Sequence, residues 1–172
     1  MTKKNVLLLV PPSKRLYQND NYCSFSSKAS YYAPPLDLLI MSGYLHGAHG
    51  VEVLDARAER MDADRALRRI SSRGCDDLIF VTGYASWKDD MEFIRRAKEA
   101  AGCRTLASGG FLLFHGEEAL RKFPALDAVC LDFTTPRLLE YIAGGGGAVA
   151  DFLIRRDGVL LNGGRSRAEA EF

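Results

Sequence analysis

Five short apolar runs, each followed by a segment of helical period, limit the folds open to this chain more than any other feature. Asn5-Val-Leu-Leu-Leu-Val10 is apolar without interruption and stops at Pro11-Pro12, the form of a strand covered on both faces. Val51-Glu-Val-Leu-Asp55, Asp77-Leu-Ile-Phe-Val-Thr82, Arg104-Thr-Leu-Ala107 and Asp127-Ala-Val-Cys-Leu131 are the other four. Between them, Pro34-Pro35 opens a helix whose apolar face reads Leu36, Leu39, Ile40, Gly43 and Tyr44, and which stops at Gly47 to Gly50. Asp62 caps a helix to Arg73, with Leu67 and Ile70 inward and Gly74 as its stop. Ser86-Trp-Lys-Asp89 has the form of a capping box, and the helix it opens runs to Ala101 with Met91, Ile94 and Ala97 at helical spacing. Glu117 to Phe123 reads as a short helix with acids in its first turn, and Thr135-Pro136 caps a fifth bearing Leu138, Leu139 and Ile142.

Each crossover between parallel strands is right-handed and lies on a sheet face. The alternation therefore predicts an α/β fold: a flavodoxin-like, doubly wound, five-stranded parallel sheet in the order 2-1-3-4-5. Residues 1–143 supply it. Residues 144–172 add a glycine hinge at Gly144 to Gly147 and a β-hairpin appendage, Phe152-Leu-Ile-Arg-Arg and Val159-Leu-Leu about Asp157-Gly158. The polar tail from Gly163 reads as the start of a linker.

Composition excludes several classes. Lys plus Arg is 23 against 22 for Asp plus Glu in 172 residues, a net charge of +1, so a basic nucleic-acid-binding face is not expected. No apolar run approaches the roughly 20 residues a membrane span needs, and Asn5 to Val10 is too short for a signal peptide; the expected location is the cytoplasm. Cys23, Cys75, Cys103 and Cys130 lie 52, 28 and 27 positions apart, without the close spacing of a metal or cluster clamp. Cys103 and Cys130 read as buried thiols.

Ligands on such sheets bind outside the carboxyl ends of the strands, near the switch point. That selects Pro11-Pro12-Ser13, Asp55 to Met61, Thr82 to Ser86, Ser108 to Phe114 and Asp132 to Thr134. No phosphate-loop motif occurs, and no G-x-G-x-x-G follows the first strand. Strand three ends in Thr82-Gly83, where a phosphoacceptor aspartate is missing, and the two prolines replace a flavodoxin's hydroxyl-rich loop. Ser108-Gly109-Gly110 is either a close-approach loop for a bulky ligand or a tight strand-to-helix turn. Ser86 is either a ligand contact or a cap. The segment from Pro12 to Ala33 holds Tyr17, Tyr22, Phe25, Tyr31 and Tyr32 and reads as a functional loop or an interface.

Pro11-Pro12 after the first strand, Ala33-Pro-Pro-Leu-Asp-Leu-Leu, Gly43-Tyr-Leu and Val51-Glu-Val-Leu-Asp-Ala-Arg-Ala-Glu59 resemble the N-terminal cobalamin-binding domain of cobalamin-dependent radical SAM enzymes. That group includes the anaerobic magnesium-protoporphyrin ester cyclase and methyltransferases. The resemblance covers residues 5 to about 161. It implies a cobalamin across the carboxyl edge of the sheet, with contacts from Pro11, Pro12, Asp55, Ala56, Arg57, Thr82, Tyr84, Ser86, Gly109, Gly110 and Phe111. It also implies a partner, the chain's own downstream radical SAM barrel, holding S-adenosylmethionine and a 4Fe-4S cluster. No Cys-x3-Cys-x2-Cys occurs here, so this chain is not expected to turn over a substrate alone.

The pattern departs from other corrinoid domains at two places. Where a D-x-H-x-x-G motif supplies a cobalt-ligating histidine, Asp55-Ala-Arg57-Ala-Glu-Arg60 has arginines at the histidine and glycine positions. A guanidinium has no lone pair for cobalt, which implies a base-off cobalamin without a histidine from this motif. Arg57 is then either a surface residue or a contact to the corrin's amide or phosphate periphery. Cys130-Leu-Asp-Phe-Thr134 replaces a glycine- and glutamate-rich turn. His46 and His49 read as partners of a helix C-terminus, and His115 as a surface or helix-start residue. The alternative function is a degenerate flavodoxin-like regulatory or interaction domain that binds no corrinoid. A free-standing flavin-binding protein is a third.

Overall fold

The computed structural model describes residues 2–15, 17–19, 24–26, 33–144 and 146–166. Tyr22, Cys23, Tyr31 and Tyr32 lie outside them. The strands are β1 (Asn5–Val10), β2 (Tyr17–Asn19), β3 (Ser24–Ser26), β4 (Gly50–Asp55), β5 (Asp77–Val81), β6 (Arg104–Ser108), β7 (Ala128–Cys130), β8 (Phe152–Arg156) and β9 (Val159–Asn162). The helices are α1 (Leu36–Leu45), α2 (Ala63–Arg73), α3 (Trp87–Ala101), α4 (Leu112–Lys122) and α5 (Leu138–Ala143).

The main sheet runs β4-β1-β5-β6-β7-β8-β9. Its first five strands are all parallel and have the expected 2-1-3-4-5 order, so Val10, Asp55, Val81, Ser108 and Cys130 end at one carboxyl edge. The hairpin continues this sheet: β8 pairs antiparallel with β7, Cys130 opposite Phe152, and β9 pairs with β8. The sheet therefore has seven strands, and β2 and β3 form a separate antiparallel pair.

Alternate strand residues feed two cores, as a period of two requires. Leu7, Leu9, Leu78, Phe80 and Val129 pack under α2, α3 and α4. Val6, Leu8, Val10, Ile79, Val81 and Cys130 pack under α1 and α5. Cys103 and Cys130 are buried free thiols, as their apolar settings predict.

Three helices differ locally from the sequence reading. In α1 the buried side chains are Asp37, Leu38, Met41 and Leu45, whereas Leu36 and Leu39 are exposed. Apolar residues occupy nearly the whole circumference of this helix, so spacing alone cannot phase it. Helix α4 begins five residues before Glu117 and has no acid in its first turn; the apolar stretch Leu112-Leu113-Phe114 is its first turn instead. Thr135 lies two residues before the N-cap of α5, Arg137; the Thr135 hydroxyl accepts the Arg137 N–H at 3.4 Å and donates to Asp151 at 2.8 Å. Helix α2 matches its reading: the Asp62 carboxylate accepts the Arg65 N–H at 2.7 Å, and Gly74 ends it at φ +66°.

Candidate functional site

At the carboxyl edge the chain turns sharply after each parallel strand. After β4, the Asp55 carboxylate accepts the Ala58 N–H at 2.8 Å, and Ala56 donates to the Val10 carbonyl at 3.1 Å. These bonds fix the loop that carries Arg57 beside the buried Pro11 and Pro12. Arg57 itself is buried, which removes the surface alternative. Its Nη2 donates to Asp90 Oδ1 at 3.0 Å in an ion pair whose side chains are 2% and 0% exposed. Its Nη1 donates to the Tyr17 carbonyl at 3.4 Å, and the guanidinium lies over the Tyr17 ring, 5.5 Å from the centroid. Arg57 Nε is buried and has no acceptor among the described residues.

Thr82, at the end of β5, and Ser86, the N-cap of α3, are also buried. Both hydroxyls donate to Asp90 Oδ2, at 2.7 Å and 2.6 Å. The capping box expected at Ser86 does not form: no side-chain cap bond reaches the helix backbone, and the Ser86 hydroxyl donates to the Asp90 carboxylate instead. One carboxylate thus draws together three of the eleven expected contacts. Burial pushes the Asp90 carboxyl up to about 6, and Arg57, Ser86 and Thr82 only partly offset this by favouring the ionised form.

The remaining candidates form a rim. Tyr84 is 80% exposed and meets Phe111 edge-on at 6.5 Å. Phe111 packs on Trp87 at 4.9 Å, and Trp87 on Phe123 at 5.1 Å. Gly109 faces the protein backbone: a Cβ there would lie 2.1 Å from the Thr82 carbonyl oxygen. The tight-turn alternative is the one that the geometry favours. Gly109→Ala is expected to cost about 1–3 kcal/mol by forcing β5 and β6 apart, measured as a fall in the urea unfolding midpoint. An unchanged midpoint would mean the contact relaxes at no cost.

The loops after β1 and β4 and one face of α3 enclose a cleft of about 950 Å³, lined by Pro12, Ala56, Arg57, Lys14, Arg60 and Phe93 among others. Of the expected contacts, Pro12, Ala56 and Arg57 line it; Tyr84, Gly109 and Phe111 are not among its lining residues, and Thr82 and Ser86 are tied to Asp90, the partner of Arg57. No histidine lines it. His46 caps the C-terminus of α1. His49 is buried beside the amino edge, its Nδ1 accepting the Lys4 N–H at 3.4 Å, and His115 is exposed on α4, 3.7 Å from Glu118. Among the described residues, no group of three or more His, Cys, Asp or Glu side chains forms a metal site. The Asp132 carboxylate, in the turn after β7, accepts from Thr134 N–H and hydroxyl at 2.8 Å and 2.6 Å, while the Thr134 carbonyl accepts from Tyr44.

The sequence reading missed Asp90. Its place in an Asp89-Asp90 pair at the start of a helix looks like ordinary dipole complementation, and its partner Arg57 is 33 residues away.

The fold has solved counterparts. The radical S-adenosylmethionine methyltransferase TsrM from Kitasatospora setae, with cobalamin and a [4Fe-4S] cluster bound, superposes with a TM-score of 0.70 at 14% identity, over 94% of this chain and 31% of that one. The cobalamin-dependent S-adenosylmethionine radical enzyme OxsB, with aqua-cobalamin and S-adenosylmethionine bound, gives 0.66 at 10% identity, over 96% of this chain and 22% of that one. At these identities the likeness is one of fold, and the chain spans less than a third of either enzyme. No family model matches the chain, and no curated protein does. No described helix is long and apolar enough to cross a membrane.

Proposed function

We propose that this chain is the corrinoid-carrying part of a longer radical SAM enzyme, with residues 1–143 as the cobalamin-binding unit and residues 144–172 leading into a catalytic barrel. The observation that carries this reading is the cleft at the switch-point edge, lined by Pro12, Ala56 and Arg57, in a fold shared with two cobalamin-bound enzymes. The residues present fit a corrinoid. The edge offers exposed Tyr84 and half-buried Phe111 for apolar contact, and Arg57 carries a buried N–H in need of an acceptor. Bound cobalamin would supply cobalt chemistry for methyl transfer or radical oxidation. This chain's task is to seat it and to offer cobalt no nitrogen ligand from the β4 loop, since the guanidinium that stands there has no lone pair for cobalt.

The test is a titration with hydroxocobalamin and cob(II)alamin, followed by gel filtration, visible absorbance and electron paramagnetic resonance. Retained corrinoid with a base-off signal lacking nitrogen superhyperfine splitting is the expected result. Nitrogen splitting would overturn the ligand-free lower face and make His115 the first residue to replace. No retention would favour the second reading, an interaction domain that binds no corrinoid. One observation favours that alternative: Thr82 and Ser86 are buried and committed to Asp90, and Gly109 is packed on Thr82, so in this conformation the sheet offers little depth between β5 and β6.

A further inference from the structure

The arrangement around Arg57 leaves one polar group unused. Asp90 Oδ1 holds Nη2, the Tyr17 carbonyl takes Nη1, and the Tyr17 ring covers the guanidinium face. Thr82 and Ser86 donate to the other oxygen of Asp90, which prevents the carboxylate from rotating without breaking two further bonds. The guanidinium is therefore held by three groups from two residues, Asp90 and Tyr17, with Asp90 itself braced by Thr82 and Ser86. Of the three guanidinium nitrogens only Nε, which is buried, has no acceptor among the described residues, and it belongs to a residue that lines the cleft. A buried donor without an acceptor is costly, and such exceptions call for a specific explanation.

We propose that Asp90 is a positioning residue, holding Arg57 so that its Nε–H donates to an oxygen of the bound corrinoid. The acceptor is an amide carbonyl of the ring's side chains or a phosphate oxygen of the nucleotide loop. This rests on the corrinoid reading above and adds the direction of the contact: the cleft donates and the ligand accepts. It also assigns Thr82 and Ser86 a different part from the one their positions suggest. They brace Asp90 and do not touch the ligand.

Two variants separate the roles. Asp90→Asn keeps the side chain's shape and removes its charge. It is expected to weaken hydroxocobalamin binding about tenfold, the scale on which removing the partner of a ligand-contacting group acts. It should also speed solvent exchange of the Arg57 Nε–H, read by 15N NMR on the free chain. Arg57→Lys keeps a cation opposite Asp90 but has no Nε–H, and should weaken binding by a similar factor while the chain stays folded by circular dichroism. Dicyanocobinamide, which lacks the phosphate, identifies the acceptor. Equal weakening for both corrinoids assigns an amide carbonyl, and weakening for hydroxocobalamin alone assigns the phosphate.

Wild-type affinity for both corrinoids in Arg57→Lys overturns the donor role. Wild-type exchange of the Nε–H in Asp90→Asn overturns the positioning role. If Asp90→Asn does not fold, Arg57→Lys decides the donor role, and Ser86→Ala, which loosens the brace and keeps the ion pair, decides positioning through the same exchange measurement. A wild-type chain that takes up neither corrinoid overturns the reading of the edge, while Nε–H exchange still reports whether Asp90 holds Arg57.

Discussion

Replacing Arg57 with alanine is expected to destabilise the chain by about 3–5 kcal/mol, because it leaves the Asp90 carboxylate buried without its counter-ion. Asp90 is 0% exposed, and its remaining partners are two neutral hydroxyls. Against a typical total stability of about 5–15 kcal/mol, such a loss would bring much of the population close to unfolding. Urea denaturation checks it as a lower midpoint at unchanged slope. The double replacement Arg57→Met with Asp90→Leu removes both charges and should recover most of the loss. If the single and double variants fall equally far, the damage comes from lost packing around Tyr17 and not from an unpaired charge.

The second large effect is a pH dependence with a definite sign. The Asp90 carboxyl titrates at its ordinary value of 3.8 in the unfolded chain and at about 6 when folded. Below the lower value both states hold the proton, and Asp90 makes stability independent of pH. Between the two values the folded state keeps a proton that the unfolded state has released. Raising the pH through this window therefore costs the folded state stability, on the order of 3 kcal/mol for a shift of about two units. Above about 6 both states are ionised and the full cost persists. Carboxylates held low by partners, such as Asp151 beside Ser166 and Thr135, act in the opposite direction, so the measurement is the difference between wild type and Asp90→Asn from pH 4 to pH 7. That difference should change in favour of Asp90→Asn as the pH rises. A difference flat in pH would show that Arg57 and the two hydroxyls fully offset the burial.

Both effects arise in a region whose strands were legible in the sequence and whose bonding was not. Continuous apolar runs mark strands covered on two faces, and their alternation with helices leaves few sheet orders open, so β4-β1-β5-β6-β7 could be read directly. The register of one helix face could not. In α1 the run Leu36, Leu38, Leu39, Ile40 and Met41 satisfies more than one phase, and only packing against the sheet selects Leu38, Met41 and Leu45. Positions at the carboxyl edge were likewise accessible from topology, whereas side-chain states were not. Ser86 followed by Asp89 fits a capping box, but the hydroxyl turns to Asp90, one residue further along. Arg57 looks like a solvent-facing charge in a loop until α3, more than thirty residues later, brings its carboxylate alongside.

The hairpin has a bearing on the order in which the molecule can be assembled. Strand β7 has only three residues and pairs with β6 on one side and β8 on the other. From β8, Arg155 reaches the carbonyls of Leu120, Phe123 and Leu126 where α4 ends, and Phe152 stacks on Tyr141 of α5 at 5.1 Å. A chain emerging from the ribosome can close its first four parallel strands while residues beyond β7 are still being made. Until Phe152–Arg156 follows, it presents a bare strand edge and an unfinished helix terminus to solvent or to a neighbouring nascent chain. Vectorial synthesis thus leaves this sheet exposed at one edge until β8 is made, after most of the core of residues 5–143 can already be buried.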